Sequence, residues 1–254
     1  VAALCERIAK AAGMCAYDVE LAWLSGMLHD VGRFEQIKRY NTFSDADSVD
    51  HAKFGADLLF KDGLISTFLK GMVKCTGYKP GALEDRYDSD GVFLYDRLNK
   101  SDMEMLELAI RCHNMYRIPQ GLNRREQAFC NVLRDADKVD IFKVNIDTPL
   151  EEIYNTTTEE LMKSDITDEV LKAFDEEHCI LKAIRRTPAD TVIGHVSLAY
   201  ELVYDESVRI TVEQGYLAKL MHFHSDNEET NRKMAMVREK MDSYVKKRIG
   251  EKDA

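Results

Sequence analysis

Apolar residues along this chain recur at helical spacing almost throughout, and the alternation that marks a half-buried strand is nearly absent. The pattern predicts roughly ten helices. Residues 1–12 read as an amphipathic helix already under way at Val1. A second helix covers 19–29, entered after Asp18, with Leu21, Leu24, Leu28 and Val31 on one face. A third covers 49–61, capped by Ser48 and stopped at Gly63, and a short one follows over about 65–74. Residues 76–100 break the periodicity with Gly77, Pro80, Gly81 and Gly91, and are expected to form a long irregular loop. Ser101-Asp102-Met103-Glu104 reads as a capping box opening a helix to about 113, and Asn123-Arg124-Arg125-Glu126 opens another to about 143. Residues 149–250 read as four or five further helices, with Thr167, Asp190 and Ser207 as caps. The last, about 228–249, carries Met234, Val237, Met241 and Tyr244 at core spacing. The expected fold class is all-α: a multi-helix bundle with additional C-terminal helices and no clear linker.

Composition narrows the class. The chain has 254 residues, 45% hydrophobic and 31% charged, which is ordinary for a globular protein with a real core. No apolar run approaches the roughly 18 residues that span a bilayer. The N-terminus lacks a basic region followed by an apolar stretch, so no secretory signal is expected and the cytoplasm is the expected compartment. The chain begins at Val1 without a Met, and its natural start is expected upstream. A net charge of −10 argues against a nucleic-acid partner; the cluster Lys246-Lys247-Arg248 is too short to reverse that. A small phosphorylated substrate stays compatible, because a few cations or metals in a cleft could hold one. The six cysteines form no C-x-x-C pair and read as reduced thiols.

Four places concentrate metal-type side chains. His29-Asp30 ends an apolar run in GMLHDVGRF. His51 lies in DHAKFGADLL, on a face with Gly55 and Leu58. His113, in AIRCHNMYRIP, continues the stripe of Leu106, Ala109 and Ile110. Asp135, Asp137 and Asp140 cluster in LRDADKVDIF, with Asp137 four residues after Leu133. Each has a plain structural explanation. His29 could be a hydrogen-bonded core histidine, and His51 a surface residue beside Asp50. His113 could be a helix C-terminal cation, and Asp137 could pair with Lys138 or Arg134. Together, three His and two Asp aimed at one core would leave buried polar groups uncompensated unless they converge. A divalent metal would satisfy them; imidazole and carboxylate suit Fe, Mn, Ni, Zn or Mg.

The segment MLHDVGR, the later histidines and the DADK segment resemble the HD-domain superfamily of metal-dependent phosphohydrolases, over about residues 1–145. The resemblance implies two divalent metals. His29, Asp30 and Asp137 would hold one; Asp30 would bridge to the second, completed by His51 and His113. The late aspartate before a Lys points to Asp137 over Asp135. The family pattern also calls for a first His about one turn before the helix containing Val1-Ala2-Ala3-Leu4. No His precedes His29, and the pattern places that residue upstream of Val1.

The resemblance further implies a metal-activated hydroxide attacking phosphorus, with Asp30, Arg33 and Lys138 as catalytic candidates and Arg117 a weaker cation. The irregular stretch 76–100 could cap the site and choose the substrate. The expected function is a phosphohydrolase acting on a nucleotide or other small phosphorylated metabolite. The alternatives are a di-iron HD-type oxygenase and a catalytically inactive nucleotide-binding HD module. No nucleic acid or membrane partner is expected; a homo-oligomer stays open. Residues 146–254 carry no catalytic motif and are expected to complete the same domain. His195 in VIGHVSLAY reads as a core histidine, and His222 and His224 in MHFHSDN as a solvated helix end.

Overall fold

A computed structural model describes residues 1–71 and 98–250. Every regular element among the described residues is helical: α1 (Ala2–Ala11), α2 (Ala16–Leu28), α3 (Val31–Tyr40), α4 (His51–Ala56), α5 (Leu64–Gly71), α6 (Lys100–Cys112), α7 (Arg124–Asp147), α8 (Leu150–Tyr154), α9 (Thr158–Lys163), α10 (Asp168–Asp175), α11 (Pro188–Val196), α12 (Asp205–Gln214), α13 (Tyr216–Met221) and α14 (Glu228–Ile249). The all-α expectation therefore holds. The chain divides into two compact units, Val1–Asp137 and Lys138–Ala254, with the boundary inside α7.

The first unit is built around α2. Val19, Leu21, Ala22, Leu24, Gly26 and Leu28 are all buried, so this helix is covered on several faces. α1 lies directly against it. A Cβ on Gly26 would meet Ala2 Cα at 2.7 Å and Cys5 Sγ at 2.9 Å, so only glycine allows this approach. Ile8, Leu59, Leu106, Ile110, Phe129 and Leu133 complete the core with the α2 leucines.

A second close crossing joins α3 to α4. A Cβ on Gly32 would lie 2.2 Å from the carbonyl oxygen of His51 and 2.7 Å from the nitrogen of Gly55. One glycine from each helix brings the two backbones into contact.

α2, α6 and α7 are tied by a charged knot. Arg125 donates from Nη2 to Asp18 Oδ1 at 2.7 Å and to Asp102 Oδ1 at 2.8 Å, and from Nε to Asp18 at 3.0 Å. Asp102 is fully buried and also accepts from the Tyr17 hydroxyl at 2.5 Å. A buried carboxylate needs this many donors to offset its lost hydration.

In the second unit, Phe142, Phe174, Val192, Ile193, Met234, Val237 and Met241 share one core, with Tyr244 packed at its edge. Met234, Val237 and Met241 thus take the filler role their spacing predicts. His222 and His224 are exposed after α13, also as expected.

Several element ends differ from the periodicity reading. α3 is a full helix where the pattern showed none, because its buried face is narrow: only Gly32 and Gln36 are buried. α4 begins at His51 under Asp50, whose side chain accepts from Lys53 N, not under Ser48. It continues as a π-helical segment over Asp57–Lys61. The capping box of α6 pairs Asn99 with Asp102 rather than Ser101 with Glu104. Around α11, Thr187 is the cap and Asp190 its reciprocal partner. Thr167 sits at the cap position of α10 without capping through its side chain, and Ser207 lies inside α12. The Asn123 cap of α7 is as expected: Asn123 Oδ1 accepts from Arg125 N and Glu126 N, while Glu126 returns a bond to Asn123 N. The expected loop 76–100 lies outside the described residues except at its end, where Lys100 already belongs to α6.

Candidate metal centre

The pair His29-Asp30 sits at a break between two helices. α2 ends at Leu28 with His29 as its C-cap, still in helical conformation. Asp30 departs from it (φ −101°, ψ 14°) and begins α3. The imidazole is buried, the Asp30 carboxylate is partly exposed, and the two meet with His29 Nε2 3.5 Å from Asp30 Oδ2.

His29, His51 and His113 are all buried and come from three separate places in the first unit. The His29 and His113 rings lie edge to face with centroids 5.0 Å apart, as do those of His51 and His113. Asp30 lies between them. Its Oδ2 is 3.5 Å from His29 Nε2, while its Oδ1 is 3.4 Å from His51 Nε2 and 3.7 Å from His113 Nε2. Asp137 Oδ1 is 3.6 Å from the same His29 Nε2. The five residues singled out from the sequence as ligands thus converge. Three of them, His29, Asp30 and His113, bring donor atoms within 4.8 Å of one another; Asp45, Asp50 and His51 form a second such set alongside.

The outer nitrogen of every ring is already engaged. His29 Nδ1 lies 2.9 Å from Gly26 O, His113 Nδ1 lies 2.7 Å from Ile110 O, and His51 Nδ1 lies 2.7 Å from Asp45 Oδ2. Carbonyls and carboxylates only accept, so each Nδ1 carries a proton and, in the neutral ring, each Nε2 presents a lone pair. These lone pairs all face one place. His51 Nε2 and His113 Nε2 stand 3.1 Å apart, and His29 Nε2 is buried with no hydrogen-bond partner. Lone pairs and carboxylate oxygens crowded together fit a divalent cation, with the outer hydrogen bonds orienting the ligands.

The carboxylates draw positive charge to His29, from a proton or from a cation. Burial opposes charge on His29, but Asp137 and Asp30 outweigh it and raise its pKa above the ordinary imidazole value. Burial pushes His113 below that value, although the charge of Asp137 opposes the change. Burial likewise opposes charge on Asp45, yet hydrogen bonds from Gln36 and His51 hold its carboxyl below the usual range.

The plain explanations meet the geometry as follows. His51 is buried rather than a surface residue. His113 does end a helix, but it is buried there. Arg134 is not the partner of Asp137: its Nη2 donates to the carbonyls of Met115 and Tyr116 at 3.0 and 3.1 Å. Asp135 is fully buried and Asp140 half-buried elsewhere on α7.

Among the expected cations, Arg33 is adjacent to the cluster but already engaged. Its Nη1 donates to Phe43 O, Asp45 Oδ1 and Gln36 Oε1 at 2.6, 2.9 and 3.0 Å, and its Nε is 3.8 Å from Asp30 Oδ1. Lys138, next after Asp137 on α7, is buried and begins the second unit. Arg117 is exposed and stacks on Tyr116.

The sequence reading missed Asp45 and Gln36. Both lie in or after α3, the helix the periodicity did not reveal. The available signal was a polar residue, Gln36, one turn after Gly32 on the face that α3 buries.

The family model described as HD domain matches residues 1–184. No curated protein and no solved structure matches the chain. No described helix is long and apolar enough to cross a membrane.

Proposed function

The chain belongs to the HD-domain superfamily of metal-dependent phosphohydrolases, and from that premise we propose that it hydrolyses the phosphate ester or anhydride of a nucleotide or another small phosphorylated metabolite, using two divalent cations. The observation that carries this reading is the division of the Asp30 carboxylate. One oxygen faces His29, next to Asp137, and the other faces His51 and His113. A carboxylate shared in this way between two donor groups is what a bridging ligand requires.

His29, Asp30 and Asp137 would hold one ion; Asp30, His51 and His113 would hold the other. Bound there, the ions supply Lewis acidity, which activates water near neutral pH and offsets phosphoryl charge. The protein's own contribution is orientation. The carbonyls of Gly26 and Ile110 aim His29 and His113, and the break at Asp30 lets one carboxylate serve both groups. Arg33 stabilises the arrangement through Asp45 and Asp30 more than by reaching for substrate, since Nη1 already serves three acceptors. Lys138 is proposed, from the sequence alone, as the cation for phosphoryl oxygens. The net charge of −10 favours a small substrate over a nucleic acid.

The test is metal content per chain in protein purified without chelator, followed by anaerobic phosphate release with Mn from a panel of nucleotides and sugar phosphates. About two equivalents, falling to about one in His51→Ala, together with phosphate release, is the expected result. No bound metal, or iron-dependent dioxygen uptake without phosphate release, overturns the proposal.

A further inference from the structure

Of the three imidazoles at the centre, two are oriented by backbone and one by a side chain. His29 and His113 each use the carbonyl three residues earlier, Gly26 O and Ile110 O. His51 uses Asp45, at 2.7 Å. Asp45 is itself held by fixed donors. Its Oδ1 accepts from Arg33 Nη1 at 2.9 Å and from Gln36 Nε2 at 3.0 Å. Gln36 is fully buried and is anchored in turn, with Nε2 also donating to Ser48 Oγ at 2.8 Å and Val49 O at 3.0 Å. Asn114 Nδ2 approaches the other carboxylate oxygen, Oδ2, at 3.4 Å.

We propose that Asp45 is a positioning residue that fixes the tautomer of His51, keeping the proton on Nδ1 so that Nε2 offers its lone pair to the centre. The assignment deepens the metal-centre reading and rests on it for its consequence, though not for the tautomer itself. A carboxylate can only accept, so Nδ1 must donate. The same side chain holds the ring's rotation, because its Oδ1 is pinned by two donors on the opposite edge.

The chemistry makes an unusual demand on substitutions at this position. In Asp45→Asn the amide oxygen stays with Arg33 and Gln36, since an NH2 group facing those two donors would be repelled. The amide NH2 then faces His51 Nδ1. That nitrogen must accept, and the proton moves to Nε2, where it blocks ligation. Asp45→Ala removes the acceptor without supplying a donor and leaves both tautomers populated. Asparagine, closer in shape, is therefore worse for metal binding than alanine. A purely structural role gives the reverse order.

The experiment is 15N NMR of the imidazole nitrogens in metal-free protein at alkaline pH, with Mn or Zn affinity measured separately on the same variants. Asp47→Asn is the control: it removes the same charge from an exposed carboxylate on the same turn. The expected result is the Nδ1–H tautomer for His51 in wild type and in Asp47→Asn, and the Nε2–H tautomer in Asp45→Asn. Metal affinity should rank wild type above Asp45→Ala above Asp45→Asn, with the last weakened about 10–100-fold. Retention of the Nδ1–H tautomer in Asp45→Asn overturns the assignment, as does equal loss of metal in Asp45→Asn and Asp47→Asn. A tautomer switch in a protein whose wild type takes up no metal upholds the role of Asp45 and sinks the metal reading instead.

Discussion

His51 Nε2 and His113 Nε2 face each other at 3.1 Å although both rings already donate from Nδ1 to oxygen acceptors. Two lone pairs at this distance repel unless a proton or a cation lies between them. A divalent ion should therefore stabilise the fold. Saturation at about 100 times Kd adds about 2.7 kcal/mol, which for a chain of this size raises Tm by about 5–10 °C. Scanning fluorimetry with chelator and then with Mn or Zn measures this. His113→Ala should lose most of the shift.

The contact between Gly32 and Gly55 leaves no room for a methyl group, since a Cβ on Gly32 would meet the His51 carbonyl and the Gly55 nitrogen. Both of those atoms are backbone and cannot rotate away. Gly32→Ala should cost about 2–3 kcal/mol by overpacking, and should displace His51 with its helix. Urea denaturation reads the first effect, and weakened metal binding the second. A fully stable Gly32→Ala protein with unchanged metal affinity would contradict the packing described.

Arg125 neutralises Asp102, which is fully buried. Truncation leaves that carboxylate with the Tyr17 hydroxyl and backbone alone, so Arg125→Ala should destabilise by about 3 kcal/mol. The double variant Arg125→Ala, Asp102→Asn should recover part of the loss. Chemical denaturation of the four proteins completes the cycle.

His195 governs part of the acid stability. Its Nδ1 is buried with no hydrogen-bond partner among the described residues. Burial, aided by the charges of Arg185 and Lys182, pushes its pKa down to about 3. The unfolded chain binds this proton near the ordinary pKa of about 6.5. The stabilising contribution is thus fully present above about pH 6.5 and is lost as pH falls from there towards 3, with a limiting slope of about 1.4 kcal/mol per pH unit. His195→Phe keeps a ring beside Tyr154, whose centroid is 5.6 Å away, and removes the titration. Urea midpoints at pH 7.5, 6 and 5 should fall less steeply in the variant than in wild type.

The residues that converge at the candidate centre and the helical class were legible because each leaves a mark on periodicity. His51 and His113 interrupt apolar stripes, and Asp137 follows Leu133 by one turn, so a polar residue on a buried face was visible without coordinates. α3 was not legible. Its buried face is one glycine and one glutamine, and its hydrophobics Phe34 and Tyr40 point outward, which is the opposite of what amphipathic reading looks for. Asp45 was invisible for the same reason, since its purpose depends on Gln36 and Arg33 across a turn that the pattern did not resolve. The caps erred by two to three residues, as at Asn99, Asp50 and Thr187. Neighbouring Ser, Asp, Asn and Thr all suit the position, and only backbone geometry chooses among them.

His29 and His113 are each the C-cap of a helix, α2 and α6. A helix C-terminus carries about half a negative charge from its unpaired carbonyls. Two further helices, α3 and α4, begin there at Val31 and His51 with half-positive ends, so the backbone contributions offset and the carboxylates of Asp30 and Asp137 make the centre negative before any ion enters. On the proposed reading this imposes a sequence of events. An anion arriving before the cations meets repulsion from those carboxylates, so phosphate follows the cations and does not precede them.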